Sequence, residues 1–413
     1  MATEPDVTEV RHPIDQDRLV KYLTSVTSTT EGTTLGPNVP TYLNQLKNID
    51  IKQFSFGQSN PTYYIKDKDT GKVFVLRKKP SPNAKLISRS AHAIEREFFM
   101  LRGINILNND QQDITRRVPI PQVYILCEDE SIIGYVFYVM EYVNGIQIKN
   151  PAMPGIPLDD QHQYWKSLIN TMTAIHTLDA VKLISHLPAS HFPQFQNLDK
   201  LKNSSYFQRQ IKTLKAIEAK QSTFVKRIPN FDQLCEDILR LSPKDPEHLS
   251  LIHGDLKIDN VLFDPHTKSV KGVLDWELCT IGHPLFDLSN FFQPFNLPNK
   301  LNLLLYKPQK TDMGKENKGS IQFIYEQLNN YNDKCTWDTR DPTNNPINLW
   351  LIGFAFGLLR LCVISQGIAM RVKQGNASSG NASGYAALYP YLASLATEAI
   401  DEFESNSRTT SKL

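Results

Sequence analysis

The sequence predicts an α+β fold in two lobes, a small β-rich N-terminal lobe followed by a larger helical C-terminal lobe. First, 413 residues suffice for about two or three average domains or for one large two-lobed enzyme. Second, 40% hydrophobic and 21% charged residues are ordinary for a globular chain, which argues against collagen, disorder and coiled coil. Third, strand patterns dominate residues 41–145, whereas helical periodicity dominates residues 146–405.

Residues 1–40 are predicted to form an N-terminal segment that precedes the β-rich lobe. A short helix pattern at 18–26 is followed by a Thr/Ser/Gly-rich run at 28–36, which predicts a mobile connector. Two strand patterns then flank the turn Asp69-Thr70-Gly71-Lys72 and predict a β-hairpin. The other elements of this lobe are one helix at 88–104 and two strands at 118–129 and 133–143.

The C-terminal lobe has helical spacing interrupted by two short strand patterns. These strands fall within 250–264 and 271–278, on either side of the turn Asp264-Pro265-His266. The longest uncharged apolar run, Leu349–Leu359, is shorter than the roughly 20 residues of a membrane span and therefore predicts a buried core helix. Helices are predicted at 159–178, 200–220, 231–241 and from 284 to about 405, before a polar tail at 406–413.

The charge balance narrows the classes of partner. The 45 Lys and Arg residues against 43 Asp and Glu give a net charge of +2, which offers no electrostatic basis for binding nucleic acid or an acidic membrane. The five cysteines show neither a C-x-x-C pair nor zinc-ligand spacing with histidine, a pattern typical of a reducing compartment. Any anion must therefore be bound by a local site.

The clearest chemistry lies in the segment HGDLKIDN, residues 253–260, and in LDWE, residues 274–277. Phosphoryl transfer needs a carboxylate that accepts the proton of the attacking hydroxyl, and oxygen ligands that hold Mg²⁺ against the nucleotide phosphates. Taken singly, each polar residue here could equally be a turn, cap or strand-end residue. The candidate roles are Asp255 as the base, Lys257 as a cation beside the transferred phosphoryl group, and Asn260 and Asp275 as the Mg²⁺ ligands.

The strand pattern at 74–77 ends in a candidate phosphate-binding cation. It matches the kinase strand V-A-I-K, whose cation meets the α- and β-phosphates and an ion-pairing glutamate from the neighbouring helix. We expect Arg77 to be this cation and Glu97 to be its partner, with Glu95 as the second choice. Strand alternation places Lys78 on the other face. Ordinary surface charges are the alternative for Arg77 and Glu97.

Two further segments are candidates for binding the nucleotide. The turn at 56–60 stands where a glycine-rich phosphate loop would lie, although it contains one glycine. The segment MEYVNG follows an apolar strand and is a candidate hinge between the lobes. There the backbone N–H and C=O groups of Glu141 and Val143 could pair with adenine, a simple strand end being the alternative. The candidate phosphate-loop residues are Gly57, Gln58, Ser59 and Asn60.

Three residues near these motifs are predicted to be structural. The ring of His253 is expected to hydrogen-bond backbone rather than act as an acid or metal ligand. Asp287 lies on a loop that enters a helix and is expected to brace the catalytic loop, with a plain N-cap as the alternative. His176 ends a helix pattern and is expected to be packed rather than ligating.

The segments HGDLKIDN, GVLDWE, IGHPLFDL, MEYVNG and FGQSNPTYYI together resemble those of the aminoglycoside phosphotransferase superfamily. Within it, the chain is most similar to the kinase domain fused to acyl-CoA dehydrogenase modules in some eukaryotic proteins. The resemblance implies a protein-kinase-like fold, ATP and Mg²⁺ as cofactors, and phosphorylation of a small-molecule hydroxyl. In the fused relatives that hydroxyl belongs to a 4-hydroxyacyl substrate. Because the kinase-like region takes up nearly all 413 residues, a separate acyl-CoA dehydrogenase is expected to take the product here.

The identity of the acceptor is less constrained than the chemistry. Neither D-F-G nor A-P-E occurs, which favours a small molecule over a peptide. The alternative acceptors are an amino alcohol, a sugar and an aminoglycoside-like molecule. An alternative function is that of a pseudokinase module, which binds nucleotide without catalysis. Segment 371–384 is expected to be a mobile loop near the acceptor. The residues that could meet CoA phosphates, with a solvated loop as the alternative, are Lys78, Lys79, Lys85 and Arg89.

The two ends of the sequence predict a location in the cell. The N-terminal residues are acidic and polar, without the order of a signal peptide. Ser411, Lys412 and Leu413 form the S-K-L address read by the peroxisomal import receptor, and a polar tail precedes them. We therefore expect a peroxisomal protein.

Overall fold

Strands predominate in the N-terminal part of the chain and helices in the remainder, as the sequence predicts. The structure is a computed structural model in which the two parts form a small and a large lobe. The residues that it describes are 6–11, 13–55, 60–80, 94–243, 245, 249–298, 301, 318–335, 344–375 and 382–410.

The small lobe is built on a seven-stranded antiparallel sheet, with the predicted hairpin at its centre. In spatial order the strands are β1, β3, β4, β5, β7, β6 and β2 when numbered along the chain. Their bounds are Val7–Thr8 (β1), Thr33–Leu35 (β2), Ile49–Phe54 (β3), Thr62–Asp67 (β4), Val73–Lys78 (β5), Val123–Cys127 (β6) and Phe137–Glu141 (β7).

The two faces of this sheet pack against different helices because strand side chains alternate. Helix α1, Gln16–Ser25, buries Leu19 and Leu23 against one face, together with side chains such as Ile125. Helix α2, Ile94–Asp110, packs on the opposite face, where Leu126 is buried in the core shared with the helical lobe. The sheet therefore carries α2, and with it Glu97, to the boundary between the lobes.

The mobile connector predicted at 28–36 is wrong in part, because Thr33–Leu35 forms strand β2. This strand pairs with β6, with Thr33 opposite Cys127. Strand β1 likewise pairs with the end of β3. A strand of two or three residues leaves no periodic pattern in the sequence, and its partner lies far along the chain. Both short strands extend the sheet of the small lobe at its edges.

The large lobe contains the predicted helices and five short strands. Strands β10 and β11 form the predicted hairpin, β8 pairs with β10 at its other edge, and β9 pairs with β12. These strands are Ile146–Gln147 (β8), Ser250–Ile252 (β9), Val261–Phe263 (β10), Val270–Val273 (β11) and Thr280–Gly282 (β12). The helices described here are Leu158–His176 (α3), Ala180–Ser185 (α4), Leu198–Lys202 (α5), Tyr206–Gln221 (α6), Phe231–Leu241 (α7), Leu285–Asn296 (α8), Lys318–Asn332 (α9), Trp350–Lys373 (α10), Ala382–Ala386 (α11) and Tyr389–Thr410 (α12).

The predicted core helix is the N-terminal part of α10. Gly353 lets it approach α8 closely, since a Cβ there would lie 2.0 Å from Ser289 Oγ. Within the described residues, α10 is the one helix long and apolar enough to cross a membrane, and 72% of its most apolar stretch is buried inside the protein. The helix packs between α8 and α12 as the centre of the large lobe.

Candidate active site

The catalytic loop lies between β9 and β10, with strand β12 beside it. Gly254 has a φ of +84°, and a Cβ at this position would lie 2.3 Å from the carbonyl oxygen of Leu278. Glycine is required here for both reasons. The tight turn leaves the Asp255 side chain 29% exposed and in contact with Asn260, which lines the cleft between the lobes.

Asp255 and Asn260 are brought together as the motif predicts. The side-chain amide of Asn260 donates to the Asp255 carbonyl oxygen at 3.0 Å and to its Oδ2 atom at 3.3 Å. The ammonium of Lys257 lies 3.4 Å from the same Oδ2 and 3.9 Å from Asp259 Oδ2. Although burial alone would lower the pKa of Lys257, these two carboxylates raise it. Lys257 is therefore a cation held beside the candidate base.

Asp275 follows β11 in a left-handed conformation, with φ +67° and ψ +59°. This backbone region is costly for a residue with a Cβ, and it turns the carboxylate of Asp275 toward the cleft that this residue lines. Its Oδ1 accepts from Arg77 Nη2 at 2.8 Å. Burial would raise the pKa of Asp275, but the Arg77 guanidinium outweighs it and the pKa lies below its ordinary value. Asp275 is therefore ionised at neutral pH.

The predicted pairing of Arg77 with Glu97 is present, at 3.1 Å between Nη1 and Oε1. Both side chains are buried, and the Trp276 backbone N–H donates to the same Glu97 oxygen at 3.1 Å. The second choice, Glu95, pairs instead with Lys79. Lys78 lies on the other face, its ammonium 3.3 Å from the ring centroid of Tyr135, and burial lowers its pKa to about 8. The alternative of ordinary surface charges is wrong for Arg77 and Glu97.

Glu277 is a site residue that the sequence analysis missed. Its Oε2 accepts from Arg77 Nη2 at 3.2 Å and from the buried Asn60 side-chain amide at 3.0 Å. Asn60, a predicted phosphate-loop residue, is thereby tied to the segment of the large lobe that carries Asp275. Burial, followed by the negative charge of Asp275, raises the pKa of Glu277 to about 7. The signal was an acid two residues after Asp275, in the quoted segment LDWE.

We predict that Glu277→Gln changes how stability depends on pH. A carboxyl with a pKa near 7 in the folded chain and an ordinary value of 4.5 binds more protons when folded, so the wild type loses stability as pH rises through this window. Urea unfolding at pH 5 and pH 8 should show an additional loss of about 2–3 kcal/mol in the wild type compared with Glu277→Gln. The exposed Glu130→Gln should follow the wild type. Parallel pH profiles for all three proteins would contradict the raised pKa.

Asp287 braces the catalytic loop, as the sequence predicts. Its carboxylate is fully buried and accepts from the backbone N–H of His253 at 2.6 Å and of Gly254 at 2.9 Å. The ring of His176 is a third partner, since its Nε2 lies 3.2 Å from Asp287 Oδ2. The His253 ring contacts the Leu274 carbonyl oxygen at 2.9 Å, as expected of a scaffold residue. The catalytic loop and the strand before Asp275 are thus held by one buried network.

The cleft between the lobes has a volume of about 500 Å³ and is lined from both sides. Glu141 and Val143 line it, but the Glu141 backbone N–H donates to the Gln122 carbonyl oxygen at 2.8 Å. This N–H is engaged within the small lobe and is not free to meet a base, whereas the expectation for the Glu141 C=O stays a prediction. Within the described part of the chain the Val143 N–H has no recorded partner, so it is the hinge donor left for a base.

Several predictions concern residues outside the part of the chain that the structure describes. They are Gly57, Gln58 and Ser59 of the phosphate loop, the basic residues Lys85 and Arg89, residues 376–381 of the predicted acceptor loop, and the terminal Ser411, Lys412 and Leu413. The loop prediction is wrong at the two ends of 371–384, because residues 371–373 belong to α10 and residues 382–384 to α11.

The residues at the cleft mouth fit a magnesium ion bound together with a nucleotide. Within the described ranges no three His, Cys, Asp or Glu side chains cluster as a complete metal site. Mg²⁺ in nucleotide enzymes, however, typically uses one or two protein oxygens and completes its shell with phosphate and water. Since the amide nitrogen of Asn260 is engaged by Asp255, its oxygen is left as an acceptor. Asp275 adds an ionised carboxylate that is 36% exposed.

This combination of a two-lobed fold, a candidate catalytic carboxylate and a candidate phosphate-binding cation is typical of a phosphotransferase of the kinase-like type. A family model described as phosphotransferase enzyme family matches residues 50–303. The chain belongs to this family, whose members use an alcohol group as acceptor. The resemblance to the aminoglycoside phosphotransferase superfamily and the kinase-like fold are thereby confirmed.

Two relatives of this chain are named as acyl-CoA dehydrogenase family members. It is 32% identical to acyl-CoA dehydrogenase family member 10 of Mus musculus, covering 93% of this chain and 31% of that protein. It is 30% identical to family member 11 of Gallus gallus, covering 95% and 44%. The chain thus spans less than half the length of these relatives.

Two solved structures share the fold. A candidate aminoglycoside phosphotransferase from Ralstonia eutropha superposes with a TM-score of 0.65 at 25% identity, over 94% of this chain and 99% of that one. An ethanolamine kinase from Plasmodium vivax superposes with a TM-score of 0.51 at 14% identity, over 96% and 98%. The second likeness concerns the fold alone.

Proposed function

We propose that the protein is an ATP- and Mg²⁺-dependent small-molecule kinase that phosphorylates the hydroxyl of a hydroxy fatty acyl substrate, such as a 4-hydroxyacyl-CoA, in peroxisomal lipid catabolism. The observation that carries the proposal is that Asn260 and Asp275 both line the cleft, while the candidate base Asp255 is hydrogen-bonded to Asn260. Family membership supports phosphoryl transfer to an alcohol group. The acyl acceptor is supported by the dehydrogenase names of the relatives.

In this proposal Asp255 accepts the proton of the attacking hydroxyl. Its carboxylate is partly exposed and oriented by the Asn260 amide. The neighbouring Lys257 ammonium would interact with the negative charge of the transferred phosphoryl group, since it remains protonated at neutral pH. Both groups are on the same braced loop, so their separation is maintained during the reaction.

The small lobe would bind the nucleotide. Arg77 presents a fixed charge at the cleft, and its contacts with Glu97, Asp275 and Glu277 hold the guanidinium in one orientation. Adenine would meet the Val143 N–H at the hinge. Mg²⁺, held by Asn260 and Asp275, would supply positive charge to the phosphates.

An acceptor panel tests the proposed activity. With Mg²⁺ and ATP the purified protein should phosphorylate 4-hydroxydecanoyl-CoA, and mass spectrometry should detect the phosphorylated product. Decanoyl-CoA, which lacks the hydroxyl, is the matched control acceptor. Faster turnover of choline, ethanolamine, a sugar or kanamycin would replace the acyl acceptor, whereas nucleotide binding without turnover of any acceptor would make the protein a pseudokinase.

The peroxisomal part of the proposal rests on the sequence Ser411-Lys412-Leu413. A fluorescent protein fused before residue 1 should enter peroxisomes, and deletion of these three residues should leave it in the cytosol. The same distribution for both fusions would contradict the address.

A further inference from the structure

Arg360 is a cation of α10 that forms no ion pair with a described residue. Its side chain is partly exposed, and its guanidinium carbon lies 4.2 Å from the ring centroid of Phe286. Within the described ranges it makes no recorded hydrogen bond or ion pair. Stacking on an aromatic ring compensates only part of the cost of desolvating a guanidinium. A ligand that brings negative charge would supply the rest.

The positive charge of Arg360 lies near groups of the catalytic loop and of its buried support. Burial lowers the pKa of Arg360 and is the largest influence on it. The nearby Tyr206, Asp255 and Asp287 raise this pKa by a smaller amount. The guanidinium is therefore within electrostatic range of the candidate base. Asp287 is already satisfied by its backbone and histidine partners, and Asp255 by Lys257 and Asn260.

Arg360 does not line the cleft assigned to the nucleotide. It packs on Phe286 at the start of α8, and the next residue, Asp287, accepts from the backbone N–H groups of His253 and Gly254 in the catalytic loop. A ligand that contacts both Arg360 and Asp255 would therefore lie outside the nucleotide cleft, where the acceptor is expected to bind.

Exposed apolar side chains accompany this cation. Ile364 is 50% exposed and lies one helical turn after Arg360, on the same face of α10. Leu278 is 44% exposed and its carbonyl lies against Gly254 of the catalytic loop. Apolar surface beside a single cation matches a ligand with an aliphatic chain and an anionic group.

We propose that Arg360 binds an anionic group of the acceptor, so that the substrate is a hydroxylated aliphatic anion rather than an amino alcohol or another cation. The inference rests on the proposed function and specifies the acceptor class for that site. The anionic group is either a carboxylate close to the reacting hydroxyl or a phosphate of the carrier in a thioester. Both sources share the chemistry that a guanidinium recognises through paired N–H donors.

Binding measurements separate these sources without relying on turnover. Calorimetry with Mg²⁺ and a non-hydrolysable ATP analogue is performed with three acyl probes: 4-hydroxydecanoate, its CoA thioester, and its uncharged N-acetylcysteamine thioester. Choline is measured alongside them as a cationic comparison. Arg360→Gln should weaken binding of at least one anionic probe by about tenfold or more, while leaving the uncharged probe unchanged. Arg360→Lys should recover part of the affinity. Arg116→Gln, at an exposed position between α2 and β6, is the matched control.

The outcome identifies the source of the charge or overturns the inference. A selective loss for the free acid assigns the carboxylate, and a selective loss for the CoA thioester assigns a carrier phosphate. An equal loss for all three probes would show that Arg360 only shapes the site, and tighter wild-type binding of choline than of any anionic probe would also overturn the inference. Binding without phosphorylation leaves the inference standing and defeats the proposed activity. Phosphorylation that is insensitive to Arg360→Gln does the reverse.

Discussion

Asp255→Asn should reduce kcat by about 10²–10⁴-fold while leaving the affinity for Mg·ATP close to that of the wild type. Asparagine has the shape of aspartate but cannot accept the hydroxyl proton as a base. Because the wild-type Asp255 side chain contacts Asn260 and Lys257 on its own loop, its replacement does not disturb the contacts of Arg77. Single-turnover phosphorylation of the best acceptor, with nucleotide affinity measured separately, checks both halves of the prediction.

A second aspartate provides the control for this experiment. Asp159 is exposed on the first turn of α3, so Asp159→Asn removes the same charge away from the cleft and should keep wild-type kcat. Retention of full activity in Asp255→Asn would remove Asp255 as the base. A loss of Mg·ATP binding equal to the loss of kcat would assign it to the nucleotide instead.

Arg77→Met should both destabilise the fold and weaken nucleotide binding. The guanidinium contacts Glu97, Asp275 and Glu277, and its removal leaves these carboxylates close together without their cation. Removing one partner from a buried ionic group costs about 3–5 kcal/mol. We expect the free energy of urea unfolding at pH 8 to fall by about this amount and Mg·ATP affinity to fall with it. At pH 5 the deficit should be smaller, since the raised pKa of Glu277 allows it to lose its charge.

Arg77→Lys distinguishes charge from geometry. Lysine restores the positive charge but cannot reach three carboxylates with a planar fork, so stability and affinity should lie between those of Arg77→Met and the wild type. Wild-type stability and nucleotide affinity in Arg77→Met would mean that this buried network organises neither the fold nor the site.

The parts of the site that the sequence predicted are those set by local spacing. The loop around Asp255 is a continuous motif, and the pairing of Arg77 with Glu97 follows from strand alternation and helix facing. Each of these predictions depends on one structural element and on the element next to it along the chain. Asp287 was expected to brace the catalytic loop from its position close to the start of a predicted helix.

The parts that were missed depend on contacts between distant segments. The hydrogen bond between Asn60 and Glu277 joins the two lobes, and nothing in either local sequence specifies it. Strand β2 is too short to show a period and exists because β6 offers an edge. The Glu141 N–H was expected to face a nucleotide, but tertiary structure supplies the Gln122 carbonyl as its partner. Burial and long-range pairing decided these features.

The central claim is that Asp255, Asn260 and Asp275 form one catalytic centre at the mouth of the cleft. A crystal structure with Mg²⁺ and a non-hydrolysable ATP analogue tests it most directly. We expect the cation to bind oxygen atoms of Asn260 and Asp275 and the terminal phosphate to face Asp255. A nucleotide bound elsewhere, or a cation that contacts neither Asn260 nor Asp275, would contradict the claim.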